Sequence, residues 1–97
     1  MKIASITPGA AAATLKSLIS RIPDEISVLF LQAPAANSGL INFGDAAVQP
    51  FELDGGGLSQ DIPSYNREGR INTNELYVKG NGSDKLSVMW VGYGDSE

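Results

Sequence analysis

Two short segments in the C-terminal third of the chain alternate between apolar and polar residues, with a glycine-rich connection between them. A period of two over both segments is typical of β-strands with one buried face. The Asn81-Gly82 pair in the connection tolerates the positive φ that tight hairpin turns require. Residues 74–93 are therefore predicted to form one antiparallel hairpin. Its inward phase comprises Leu76, Val78, Leu86, Val88 and Trp90.

Five more segments are predicted as short strands because apolar residues recur between glycine and proline turns. They are Lys2 to Thr7 as an edge strand, Ile26 to Gln32, Leu40 to Phe43, Pro50 to Leu53 and Leu58 to Ile62. Ile26 to Gln32 is apolar on both faces after Ser27, which favours a central strand covered on both sides. Phe51 and Leu53 are predicted to point inward, and Leu58 and Ile62 to share one face.

A short helical turn is predicted between residues 14 and 22. Leu15, Leu18, Ile19 and Ile22 follow the i, i+3, i+4, i+7 pattern, and Pro23 ends it. An extended conformation over Thr14 to Ile19 is the alternative, and the length of the segment does not decide between them.

These elements indicate one all-β domain over residues 1–97, built as a small antiparallel β-sandwich or a jelly-roll-like barrel. A chain of 97 residues buries only roughly 60–65% of its unfolded surface, so a monomer has a thin margin of stability. The chain has no cysteine for a disulfide and no histidine for a metal site. Oligomerisation is the remaining way to bury more surface, and a homo-oligomer is expected.

The formal net charge of −4 and the scattered lysines and arginines argue against a nucleic-acid partner, which needs clustered positive charge. The longest strongly apolar stretch, Ile26 to Ala36, is about half of a bilayer span, so no membrane partner is expected. The apolar part of the N-terminus is too short for a secretory signal and Pro8 interrupts it. Synthesis in the cytoplasm is the expectation.

No residue pattern predicts catalysis, a metal site or a cofactor. The triplet Gly55-Gly56-Gly57 lacks the helix and lysine of a phosphate loop and is interpreted as a turn. The acidic residues Glu52, Asp54 and Asp61 lack the spacing of a calcium loop. Without histidine, no serine or threonine has the usual activating base. The chain is therefore predicted not to be an enzyme.

Two sets of residues are candidates for contacts with a partner. Met89, Val91 and Tyr93 occupy the outward phase of the last strand, where a monomer should carry polar residues. Either a second sheet or loop covers them, or a neighbouring subunit does. The loop residues Tyr65, Arg67 and Arg70 are of types enriched at interface hot spots, although a solvated loop is the more common case. Trp90, on the inward phase, is predicted to lie in the core.

Five segments occur in an order that carries a family resemblance. They are Thr14 to Ile19, Phe30 to Ala33 ending in Gln-Ala, Phe51 through Pro63, Leu76 to Gly80 as Leu-Tyr-Val-Lys-Gly, and Val88 to Trp90. In this order the chain resembles a group of small virion proteins of tailed bacteriophages. It departs from them at Tyr65 to Asn72, where the connection is longer.

The resemblance implies a structural role on the virion, on the capsid surface, with no catalytic residues. A capsid decoration (cement) protein that stabilises capsomer junctions is the expected function, with the major capsid protein as partner and a homotrimer as the assembly. A head-fibre or tail accessory subunit is a further possibility within the resemblance. The alternative from a different class is a small-ligand or carbohydrate-binding β module that uses Trp90, Tyr93 or Tyr65 as stacking surfaces.

Overall fold

The computed structural model describes residues 2–54, 59–62 and 71–92, and for 59–62 the backbone only. Short strands make up most of it. They are β1 (Lys2–Ile6), β2 (Ala13–Thr14), β3 (Glu25–Gln32), β4 (Ile41–Gly44), β5 (Phe51–Leu53), β6 (Ser59–Ile62), β7 (Ile71–Asn72), β8 (Tyr77–Lys79) and β9 (Leu86–Gly92), with one helical turn, α1 (Leu15–Leu18).

The strands form two antiparallel sheets. The first has the order β1-β9-β3-β6, with β7 also paired to β3, and the second has the order β2-β8-β4-β5. Strands account for 38 of the 79 residues that the structure describes and the helical turn for four, and the described strands do not close a barrel. The predicted all-β class is confirmed, and of the two architectures the small sandwich is the one observed.

The predicted hairpin between β8 and β9 is wrong in its pairing. β8 pairs with β2 and β4 in one sheet, whereas β9 pairs with β1 and β3 in the other. The chain therefore crosses from one sheet to the other between residues 79 and 86. The alternation of the two segments is the same in either arrangement, since it reports which face is buried and not which strand lies alongside.

Hydrogen bonds to other loops keep the connection between β8 and β9 from folding into a tight turn. The amides of Gly80 and Gly82 donate to the carbonyls of Gly9 and Pro8, at 2.8 and 2.9 Å. Gly82 has φ +82°, the left-handed backbone that the Asn-Gly pair predicted. Asp84 binds a second loop, described below. These bonds favour a wide connection, which can span the two layers of a sandwich.

The predicted inward phase of both segments is confirmed, except that Leu76 is only partly buried. Val78 from one sheet and Val88 and Trp90 from the other are buried in the same core. The remaining core residues are Leu15, Ile19, Ile22, Ile26, Leu29, Leu31, Ala33, Ile41, Phe43, Leu53, Ile71 and Leu86.

The short helical turn is confirmed, and it is shorter than the predicted span. Thr14 caps α1 by accepting the Ser17 amide at 3.1 Å, and the amide of Ile19 donates to the Leu15 carbonyl as the helix ends. The extended alternative fails beyond Thr14, which ends β2.

Among the other predicted strands, β1 is an edge strand and β3 is central, as expected. Two side chains differ from the prediction. Val28 of β3 is 47% exposed, so β3 is not covered on both sides there. Phe51 is 60% exposed, although Leu53 of the same last strand is buried, and its ring stacks on that of Phe43 with the centroids 5.4 Å apart. Leu58 and the side chain of Ile62 lie outside the described residues.

Candidate interaction surface

The face of the five-stranded sheet that points away from the core carries a cluster of apolar side chains. The strand register builds it in rows: Ile3 of β1 lies opposite Met89 of β9, which lies opposite Phe30 of β3. In the next row Val91 of β9 lies opposite Val28 of β3. These five residues are called the outer face below.

Solvent reaches the outer face. Ile3 is 65% exposed and Val28 47% exposed, while Phe30, Met89 and Val91 are half-buried. Scattered apolar side chains are normal on a protein surface, but adjacent ones mark interaction sites. The outer face is contiguous over three neighbouring strands, which makes it a candidate for contact with another protein.

None of the five side chains of the outer face is charged, although the register continues the row of Phe30 to Asp61 of β6. The row beyond Met89 consists of Ser5, Ser87 and Gln32, all neutral. The described side chains in these three rows of β1, β9 and β3 thus include no lysine, arginine, aspartate or glutamate. Depletion of charge is characteristic of the cores of protein interfaces.

The structure brings together only part of the predicted contact set. Met89 and Val91 lie side by side on the outer face, as their phase in β9 predicts. Tyr65, Arg67, Arg70 and Tyr93 lie outside the described residues.

Three members of the outer face were missed by sequence reasoning. Ile3, Val28 and Phe30 belong to strands whose partners the sequence does not reveal. The available signal was that β3 carries apolar residues on both faces, a pattern that predicts burial on both sides.

Trp90 lies on the opposite side of β9 from the outer face and is only 2% exposed. The Arg21 guanidinium carbon lies 5.1 Å from the centre of its ring, within the range of a cation–π contact. Arg21 also donates a hydrogen bond to the Ile3 carbonyl. The indole is therefore a core group that Arg21 covers, and it offers no open surface for stacking a sugar ring.

Asp84 carries a buried carboxylate whose hydrogen-bond partners are groups of the protein's own loops. It accepts the amides of Ser38 and Gly39 at 3.0 and 2.7 Å, the Ser38 hydroxyl at 3.3 Å and the Asn81 side-chain amide at 3.0 Å. The Ser38 amide bond is the main cause that lowers the pKa of Asp84, and burial opposes it. Asp84 thereby joins the connection before β9 to the loop before β4.

Two of the three acidic residues considered for a metal site have described side chains. Glu52 and Asp54 flank Leu53 at the edge of the second sheet, and the side chain of Asp61 lies outside the description. Among the described residues no three potential metal ligands cluster. None of the described helices has the length and apolar character of a membrane span.

Comparison with known proteins gives no relative: no family model, no curated protein and no solved structure matches the chain.

Proposed function

We propose that the protein is a non-enzymatic structural protein of a tailed-bacteriophage virion, a decoration protein that stabilises capsomer junctions on the capsid surface. The observation that carries the proposal is the uncharged, apolar outer face on a small β-sandwich. The five-segment resemblance to small virion proteins supports the choice of the virion as the setting.

The outer face is assigned to contacts between copies of the chain. The net charge of −4 makes close approach of two copies unfavourable over most surfaces. The rows of Ile3, Met89, Val91 and Val28 add no charge of their own to a contact with another copy. Burial of apolar side chains stabilises by roughly 25 cal/mol per Å², which would add to the core of a small domain.

The proposed assembly is a homotrimer, because threefold positions recur in capsid shells. In a closed threefold ring each copy uses two different patches, so the outer face would pack against another surface of the next copy, whereas packing of two outer faces on each other would give a twofold dimer. The trimer would contact the major capsid protein and link neighbouring capsomers. Added interface of this kind stabilises the shell by mass action, since it binds the assembled state and not the separated one.

Light scattering of the purified chain tests the assembly. The wild-type protein is expected at about three times 10.2 kDa. Val28→Lys places a charge in the outer face and is expected to give a monomer. Val48→Lys makes the same change at another exposed valine, which is 58% exposed and lies between β4 and β5, strands of the other sheet. This variant should remain trimeric. A wild-type monomer, or dissociation by both variants alike, would contradict this use of the outer face.

A separate experiment tests the setting. Capsid shells prepared without the protein, from the phage that encodes it, are heated with and without added wild-type chain. The proposal expects saturable binding and a higher temperature of shell disruption. A stable trimer that neither binds the shells nor raises this temperature would reject the decoration role. Binding to purified tails or head fibres would instead indicate the accessory-subunit function.

A further inference from the structure

The free edge of β1 presents backbone groups that β9 does not use. Among the described strands β1 pairs with β9 alone. In an antiparallel ladder, successive residues direct their N–H and C=O groups alternately to the two sides. The Ile3 carbonyl accepts from Arg21, so the Ile3 backbone faces away from β9. By alternation, the N–H and C=O of Ser5 face the same open side.

A cavity of about 300 Å³ lies along this edge. Its lining comes from β1 on one side and from the end of α1 and the residues after it on the other: Ala4, Ser5, Ile6, Leu18, Ile19, Ser20 and Arg21. Ile6 and Leu18 are half-buried apolar groups, whereas Ser5 and Arg21 are exposed. The cavity, called the edge slot below, thus combines an apolar wall with unpaired strand backbone.

Arg21 gives the edge slot its charge preference. A guanidinium has five N–H donors in a planar fork that matches a carboxylate. Arg21 donates to the Ile3 carbonyl and lies over Trp90. None of the described residues that line the slot is acidic. A ligand with a carboxylate beside Arg21 could accept from further N–H groups of this fork.

We propose that the edge slot binds an extended, acidic segment of a partner polypeptide, which adds a strand to β1. The segment would exchange backbone hydrogen bonds with Ser5 and place a carboxylate at Arg21, the mode of recognition known as β-augmentation. A second copy of β1 fits less well. It would bring another Lys2 and Arg21 to the edge, and the strand Lys2–Ile6 has no carboxylate to offer. This proposal concerns the sheet edge and does not rest on the trimer or on the virion.

Nuclear magnetic resonance titration of the full ¹⁵N-labelled chain tests the edge slot. The probe is the peptide acetyl-Thr-Val-Glu-Val-Thr-amide, and its control has glutamine in place of glutamate. Saturable shifts of the Ile3 and Ser5 amides are expected with the glutamate peptide. The glutamine peptide, and the Arg21→Gln variant with the glutamate peptide, should each bind about tenfold more weakly, the loss typical of one charged hydrogen bond.

A pair of variants at one position separates the backbone from the side chain. Ser5→Pro removes an N–H from the free edge and spares the ladder with β9, a position where edge strands tolerate proline. It should abolish binding. Ser5→Ala keeps the N–H and should bind like the wild-type chain. Unchanged Trp90 signals would show that each variant is folded. If Ser5→Pro does not fold, the affinities of the two peptides and of the Arg21→Gln variant still test the proposal.

Several results would overturn the proposal. They are equal affinity of the glutamate and glutamine peptides, binding retained by folded Ser5→Pro, and no shift at Ile3 or Ser5 at millimolar peptide. Shifts at Ser5 that follow protein concentration without any peptide would assign the edge to a second copy instead.

Discussion

The two faces of β9 share one backbone and have different surroundings. Leu86, Val88 and Trp90 are buried between the two sheets, whereas Met89 and Val91 on the other side remain half-buried. Both faces are apolar at their centre. The difference shows that apolar residues along one face of a strand predict that this face is buried. Whether the same chain or another molecule buries it depends on the surrounding structure.

The face of β9 that carries Leu86, Val88 and Trp90 is covered because the connection before β9 joins strands of the two sheets. β8 then lies in the second sheet, and Val78 packs into the same core as Trp90. A true hairpin would have placed β8 beside β9, in one sheet. The outer face has no second layer among the described residues. Within the described part of the chain, the sandwich therefore has a buried core and an apolar surface without a second layer.

The largest expected difference between the two faces is in the cost of truncation. Trp90→Ala should lower the free energy of unfolding by about 3–5 kcal/mol, since it leaves a cavity in a packed core. Met89→Ala, on the half-buried face, should cost about 1 kcal/mol or less at low protein concentration. Urea denaturation followed by circular dichroism measures both.

A chain of this size has a small free energy of unfolding. Leu86→Ala therefore provides a second variant on the buried face of β9, with an expected cost of about 2–5 kcal/mol. Equal costs for Leu86→Ala and Met89→Ala would contradict the assignment of the two faces.

A buried hydroxyl on the core side gives the next largest effect. Thr73 is fully buried, and its hydroxyl donates to the Pro23 carbonyl at 2.7 Å. Thr73→Val leaves that carbonyl without this donor and should cost about 1–3 kcal/mol. Thr73→Ser keeps the hydroxyl and should retain most of the stability. Thermal unfolding of the two variants makes the comparison. A Ser variant as unstable as the Val variant would contradict a dominant role of the hydroxyl, because Ser keeps the hydroxyl and lacks only the methyl group.

A pH-dependent effect tests the connection that separates β8 from β9. The folded state lowers the pKa of Asp84, mainly through the Ser38 amide, so the unfolded chain binds the proton more tightly. The contribution of Asp84 to stability is thus fully present above its ordinary pKa of about 3.9 and is lost as the pH falls through the lower, folded value. Urea unfolding at a series of acid pH values should show this loss.

The matched variant for this measurement is Asp84→Asn, which keeps the shape and cannot ionise. It should be less stable than the wild-type chain at neutral pH, and the difference should shrink in acid. A difference that stays constant with pH would show that the carboxylate charge is not what joins the two loops.

The smallest expected effect concerns the outer face of the separate chain. Val28→Lys and Val48→Lys should each change the free energy of unfolding of the monomer by no more than about 0.5 kcal/mol, as is usual for exposed positions. Chemical denaturation at high dilution measures this. A large loss for Val28→Lys alone would mean that Val28 supports the fold itself.

The residue pattern predicts the fold class and the buried phase of β9 well, because alternation and turn residues are local signals. Strand partners are not local. The same alternation fits a hairpin or a crossing between sheets, and the crossing connection is bonded to Pro8, Gly9, Ser38 and Gly39, far along the chain. Phe51 was predicted inward from its phase, but it is exposed although Leu53, of the same phase in the same strand, is buried.

The candidate surface was predictable in part for the same reason. Met89 and Val91 followed from the phase of one strand. Ile3 and Phe30 joined them only through the register of three strands, which pairs Met89 with residues 86 and 59 positions away, and no short motif reports such pairs. The edge slot depends on Arg21 reaching the backbone of Ile3, a contact with no sequence signal.

Solvent exposure of the Met89 methyl group tests the central claim most directly. Met89 is one of two methionines, so a methyl-labelled sample gives a simple spectrum, and a soluble nitroxide broadens the signals of wetted methyl groups. The account predicts a protected Met89 signal in the wild-type chain and in Val48→Lys, and a broadened one in Val28→Lys. A Met89 signal that is broadened equally in all three would contradict the claim that sister copies cover the outer face.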